Sequence, residues 1–190
     1  MFRITADAAG APMTPTKGPA LLIHGMFSDP TDFYGRTDQL TAGLPVQLAN
    51  EGYDVWVGCT RGRDYTLGYS ESSVAPDPTQ PNDYWNFSFE DIGKEDIVSM
   101  VDRIILERNK PDEGCSKVTL VTHGTGANSA LVAAQDAAYS LQTKVGQIMS
   151  IAPCLNISLD EFWLPVRDLA SIQAFYSALA QYNITNLFGG

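Results

Sequence analysis

The chain of 190 residues alternates short apolar runs with amphipathic or small-residue stretches, which is typical of strands and helices in turn. Four apolar runs predict buried strands: PALLIHG at 19–25, YDVWVG at 53–58, KVTLVT at 117–122 and GQIMSIAP at 146–153. Buried strands that alternate with helices form parallel sheets covered on both faces. The pattern therefore predicts an α/β fold, with a mostly parallel sheet flanked by helices.

Three stretches between these runs predict helices. Residues 44–52 place Pro45 in a first turn and Gly52 at an end. A second helix begins at Ser88 as N-cap and carries one apolar stripe. The stripe consists of Ile97, Met100, Val101, Ile104 and Ile105. The third helix covers residues 126–141, where small residues allow close packing against the sheet.

Two segments do not follow the alternation. Residues 59–87 are polar, with Gly and Pro, and predict a long excursion. Residues 167–184 carry another apolar helical stripe that no strand signal follows. We therefore divide the chain into a first part, 1–155, and a helical C-terminal segment, 156–190.

Composition narrows the function classes. The net charge of −10 disfavours nucleic acid and anionic lipid as partners, because an acidic surface repels phosphate. The sequence contains no run of 18 apolar residues, so no membrane-spanning helix is predicted. Cys59, Cys115 and Cys154 are odd in number and lack CxxC spacing, so we expect free buried thiols, no metal site and no cofactor.

The stretch KVTLVTHGTGANSA, residues 117–130, has the outline of a nucleophile elbow: a strand, a tight turn and a small-residue helix. Such an elbow presents a hydroxyl nucleophile, which needs a histidine base and an acid. Gly124 stands at the tip. Two backbone N–H groups would bind the oxyanion, from Thr125 and from Met26 in the earlier loop.

Several motifs make the chain resemble the acid lipase family, the gastric and lysosomal lipases of the α/β-hydrolase fold. LLIHGMFSDPTDF (21–33) is similar to that family's oxyanion loop, where His24 and Gly25 would stand. LANEGYDVWVGCTRGRDY (48–65) and YWNFSFEDIGKEDIVSMVDRII (84–105) are similar to two further family blocks. The resemblance covers residues 19–155 and implies a partial α/β-hydrolase fold, truncated at the start of the lid region, with 156–190 lid-like.

The departures from the family pattern bear on activity. Gly124 and Thr122 stand where the elbow has serine and a small residue. The family order is serine, acid, histidine, yet the two histidines, His24 and His123, both precede Gly124. We therefore expect no catalytic residue, structural roles for both histidines, and an elbow that His123 and Gly126 keep only as packing.

Three functions follow from the resemblance. The first is a non-catalytic acid-lipase-like domain, kept as a structural or interaction subunit of a larger assembly. The second is a lipid ester hydrolase completed by a second chain, and the third is a lipid-binding pseudo-lipase. The unpaired edge of a four-strand sheet favours a protein partner.

The compartment stays open at this point. The family implies a secreted or lysosomal protein, whereas the start MFRITADAAG lacks the apolar core of a signal peptide. An organellar assembly is therefore also compatible with the sequence. Asp96 and Asp102, on the second helix, fit a solvated polar face or a capping role better than an acid of catalysis.

Overall fold

The computed structural model describes residues 1–7, 10–26, 28–35, 43–63, 66, 87–108 and 117–153. The C-terminal segment 156–190, its boundary at 155 and most of the excursion 59–87 lie outside the described residues. The elements and contacts given below belong to these described residues alone.

Five strands of the described part form one sheet in the order β1-β3-β2-β4-β5. Their bounds are Phe2–Arg3 (β1), Pro19–Ile23 (β2), Asp54–Gly58 (β3), Val118–His123 (β4) and Val145–Ile151 (β5). Strands β2 to β5 are parallel, as predicted, whereas β1 pairs antiparallel with β3. The expected number of four strands is wrong, because a two-residue strand such as β1 is too short to show alternation.

The three helices predicted at 44–52, from Ser88 and at 126–141 are present, and the third is clearly shorter than predicted. Their bounds are Leu44–Asn50 (α1), Phe89–Asp91 (α2), Val98–Arg108 (α3), Thr125–Gln135 (α4) and Leu141–Lys144 (α5), with a π-helical turn at Ile92–Ile97 between α2 and α3. Ser88 caps α2, and its side chain accepts hydrogen bonds from the backbone of Glu90 and Asp91. The predicted helix 126–141 ends at Gln135, because Asp136 is extended and caps the 3-10 turn Ala137–Tyr139.

Side chains of the central strands alternate between two cores, one on each face of the sheet. Leu21 and Ile23 pack with α3 and α4, whereas Leu22 packs with α1 and the segment around Phe33. The predicted stripe faces the first core: Ile97, Val101 and Ile104 are fully buried, and Met100 and Ile105 pack against them. The prediction of a sheet covered on both faces is confirmed.

The π-helical turn fixes the position of α4 through a glycine. A Cβ atom on Gly93 would lie 2.1 Å from the carbonyl oxygen of Ser129. The two helices therefore approach at a distance that only glycine permits. This contact holds α4, and with it the turn at its start, against the sheet.

Candidate functional site

The turn between β4 and α4 has the backbone of a nucleophile elbow. Gly124 has φ 53° and ψ −125° and is the N-cap of α4. Its N–H donates to the carbonyl oxygen of Ile151 at 3.1 Å, and its own carbonyl accepts from Ala127 at 3.1 Å. These angles lie outside the regions that residues with a side chain populate readily, which is the strain known for such elbows.

Space at the tip is open although the backbone angles are unfavourable. Among the described residues, apart from the two chain neighbours of Gly124, one heavy atom lies within 4 Å of a Cβ atom placed on Gly124: the Cα of Gly25, at 3.8 Å. Within this part of the chain a Cβ atom thus has room at this position. What penalises it is the positive φ, which glycine adopts at no cost.

The loop after β2 lies directly against the elbow. A Cβ atom on Gly25 would stand 3.0 Å from the carbonyl oxygen of His123, and one on Gly126 would stand 2.6 Å from the carbonyl oxygen of His24. The two loops meet because β2 and β4 are neighbours, with Ile23 paired to Thr122. The structure therefore brings together all seven residues that the sequence placed at the site.

The two predicted oxyanion donors are adjacent, but one of them is already occupied. The N–H of Met26 donates to the side-chain hydroxyl of Thr125, with 2.6 Å between nitrogen and oxygen. The strand–turn–helix pattern predicts a role for the backbone of Thr125 but does not indicate the hydrogen bond that its hydroxyl accepts. No local pattern reveals this bond, since the two residues lie 99 positions apart.

His24 is buried and both of its ring nitrogens are engaged. Its Nε2 accepts the backbone N–H of Thr60 at 3.2 Å. The hydrogen therefore resides on Nδ1, which donates to the carbonyl oxygen of Gly25 at 2.9 Å. Burial lowers the pKa of His24, so the ring is neutral near pH 7. This geometry suits a residue that ties β2 to the loop after β3.

His123 lies at the end of β4 with an exposed side chain. Its backbone is paired with Ile151 of β5. The residue before it, Thr122, is fully buried, and its hydroxyl lies 3.1 Å from the hydroxyl of Ser150. Thr122 therefore fits a position where the family has a small residue, because β5 offers its hydroxyl polar partners.

Asp96 differs from the prediction of a solvated or capping side chain. Its carboxylate accepts from the backbone N–H of Arg61 at 2.8 Å and from the Arg61 side chain at 2.8 and 2.6 Å. The Asp96 side chain is only 12% exposed. It anchors the loop after β3 to the π-helical turn. The other carboxylate, Asp102, is half exposed and pairs with Lys144, as a polar face predicts.

Within the residues that the structure describes, no three His, Cys, Asp or Glu side chains are grouped so as to hold a metal ion. No helix in the same ranges is long and apolar enough to cross a membrane.

Known proteins that are similar to this chain include two lipases. Lipase 1 of Drosophila melanogaster is 27% identical over 173 residues, which are 90% of this chain and 36% of that protein. The lysosomal acid lipase/cholesteryl ester hydrolase of Rattus norvegicus is 28% identical over 147 residues, 75% of this chain and 34% of that protein. This chain thus spans about a third of the length of these curated relatives.

Among solved structures, the mature lipase BlEst2 of Bacillus licheniformis superposes on 74% of this chain and 42% of its own, with 16% identity and a TM-score of 0.46. No family model matches the chain.

The mostly parallel sheet, its two helical layers and the elbow between β4 and α4 define a partial α/β-hydrolase fold. Within that class the chain is acid-lipase-like: the resemblance to the acid lipase family is confirmed by matches along most of its length.

Proposed function

We propose that this chain is a non-catalytic acid-lipase-like domain that acts as a structural or interaction subunit of a larger assembly. The observation that carries the proposal is Gly124 at the tip of the elbow, where the positive φ is kept and the hydroxyl is lost. Acyl transfer from an ester needs a nucleophile at that point. Glycine offers none.

The histidines support the same proposal. A general base must reach the proton it abstracts and must be free to accept it. Nε2 of His24 instead accepts the N–H of Thr60, and Nδ1 carries its own hydrogen. The second histidine, His123, directly precedes Gly124, whereas the family order places the base after the acid.

The outer strand of the sheet supports the interaction role. Strand β5 is the last in the order of the described strands, and Met149 and Ile151 on it are 49% and 44% exposed. An edge strand that exposes apolar side chains is a place where another strand adds. We assign this edge to a protein partner. That partner is a second chain or another subunit of the assembly.

Purification from the native source tests the proposal. The chain is expected to copurify with defined partner chains and to elute above 20.6 kDa by size exclusion with light scattering. A well-folded monomer of that mass, with no copurifying chain, contradicts the interaction role. Ester hydrolysis that depends on a residue of this chain contradicts the absence of catalysis.

The second candidate is a lipid ester hydrolase completed by another chain. Both curated relatives reported above are named as lipases, and the elbow backbone keeps room for a side chain. The third candidate is a lipid-binding pseudo-lipase, which the exposed side chains of Met26 and Ile151 beside the elbow favour. Mass spectrometry of the native protein separates them: a copurifying lipid without hydrolysis favours the third.

A further inference from the structure

The hydroxyl of Thr125 accepts the N–H of Met26, one of the two backbone donors that an elbow of this kind offers to a ligand oxygen. We propose that Thr125 thereby closes this donor, so that the elbow does not bind a carboxylate or ester oxygen through Met26. The inference rests on the proposed function and adds which ligands the site takes. A lipid held by this chain is bound by its apolar chain, with its acyl oxygens away from the elbow.

The hydrogen bond between Met26 and Thr125 is direct and short. The N–H of Met26 donates to the Thr125 hydroxyl at 2.6 Å, just below the usual range of about 2.7–3.2 Å for an N–H···O bond. An oxyanion hole works because its N–H groups are aimed at a point that the ligand oxygen fills. Here a side-chain oxygen of the same chain already accepts from one of the two predicted donors.

The Thr125 side chain, which closes the Met26 donor, is stiff. Threonine has two heavy atoms on Cβ and few accessible rotamers, so its hydroxyl does not leave the N–H freely. The Thr125 backbone is fixed as well, because it is the first residue of α4 and the next residue, Gly126, lies against the carbonyl oxygen of His24. A ligand oxygen must therefore displace a well-placed internal acceptor.

The space beside Gly124 is open among the described residues. Because Gly124 has no side chain, the elbow itself leaves room for a small oxygen ligand. Thr125 is the group that takes the donor such a ligand would need. The closing residue is thus the neighbour of the tip and not the tip.

An NMR titration of the full chain with sodium butyrate tests the proposal, with sodium chloride at equal ionic strength as the control. The variants are Thr125→Ala, which removes the hydroxyl and the methyl group and so frees the space before the Met26 N–H, and Thr125→Ser, which keeps the hydroxyl. The Met26 amide is expected to shift saturably in Thr125→Ala. That variant should bind butyrate at least about fivefold more tightly than the wild type, the value of one net hydrogen bond.

Hydrogen exchange of the Met26 amide gives an independent readout. It is expected to be slow in the wild type and in Thr125→Ser, and faster in Thr125→Ala. Where Thr125→Ala does not fold, Thr125→Gly takes its place. Equal butyrate affinity in the wild type and the Ala variant overturns the proposal, and so does equal Met26 exchange in all three proteins. An Ala variant with an unprotected Met26 amide and no butyrate response also overturns it.

Hydrolysis of p-nitrophenyl butyrate by the same samples separates this inference from the proposed function. Turnover by the wild type refutes the non-catalytic assignment, whatever the Met26 amide does. Butyrate binding at Met26 of the wild type that is as tight as in the variant without the hydroxyl, and that occurs without turnover, refutes only the closing role of Thr125.

Discussion

The carbonyl oxygen of His24 lies 2.6 Å from the point that a Cβ atom would occupy on Gly126. Both groups are backbone, so neither moves aside as a flexible side chain does. The loop after β2 and the first turn of α4 are therefore locked together beneath the elbow. This contact keeps the elbow in place through backbone packing alone.

Gly126→Ala should destabilise the protein, by about 1–3 kcal/mol in the free energy of unfolding, because the added methyl overpacks two backbones. Alanine otherwise stabilises a helix relative to glycine, so a loss has the opposite sign to the propensity effect. Urea unfolding measures the difference. Gln135→Ala, at the exposed end of the same helix, serves as control and should change stability by less than about 0.5 kcal/mol. Equal stability of Gly126→Ala and the wild type would show that the contact relaxes easily.

Gly124→Ser should lower the melting temperature. The side chain has room, but a φ of 53° with a ψ of −125° costs a residue with a Cβ atom about 1–3 kcal/mol. Gly124→Ala is the matched control, because it adds the Cβ atom without the hydroxyl and should lose a similar amount. A rise in melting temperature for the serine variant counts against strain relief as the reason for glycine.

Acid should destabilise the fold partly through His24. Burial lowers the pKa of His24 below its ordinary value of 6.5, so the folded ring stays neutral where the unfolded ring takes up a proton. The stability contributed by the neutral ring is therefore full above pH 6.5 and is lost as the pH falls from 6.5 toward the folded pKa. Urea unfolding from pH 7.5 to 5 measures this slope.

His24→Gln is the control for the acid effect. The glutamine side chain retains an oxygen acceptor for the N–H of Thr60 and does not titrate. Carboxylate groups contribute equally in both proteins, so the difference in slope belongs to His24. Identical slopes would mean that the ring takes up its proton equally in the folded and unfolded chain.

Asp54→Asn should cost about 3 kcal/mol of stability. Asp54 is fully buried at the start of β3 and pairs with Arg3 at 2.9 Å and with Arg108 at 3.1 Å. Removal of its charge deprives the guanidinium groups of Arg3 and Arg108 of this buried counter-ion. Asp102→Asn breaks the half-exposed pair with Lys144 and should cost less than about 1 kcal/mol. Equal losses in the two variants would argue against the burial of Asp54 as the cause.

The strand and helix periods of the sequence were sufficient for most of the fold. The buried runs around Leu22 and Val121 and the stripe at Ile97, Val101 and Ile104 are core in the structure. Patterns of this kind survive because each strand face or helix face must be apolar to be buried. The end of α4 was misplaced since Asp136 caps a following turn, which a run of small residues conceals.

The site was predictable in its backbone and not in its side-chain contacts. The order of strand, Gly124 and small-residue helix indicated the elbow, and the structure has it. The bonds from Met26 to Thr125 and from Thr60 to His24 join residues 99 and 36 positions apart. Such contacts depend on which strands are neighbours in the sheet. The sequence pattern does not show which strands are neighbours or how their residues are paired.

The proposed function requires that this chain perform no ester chemistry. The most direct measurement is hydrolysis of p-nitrophenyl butyrate by the native assembly, after contaminating lipases are excluded, with wild-type chain and with His123→Ala. His123 is exposed and next to the elbow tip, so its loss removes the histidine that this chain places at that point as a general base. The proposed function predicts the same turnover, or none, in both assemblies. Turnover that is present with the wild type and abolished by His123→Ala would contradict it.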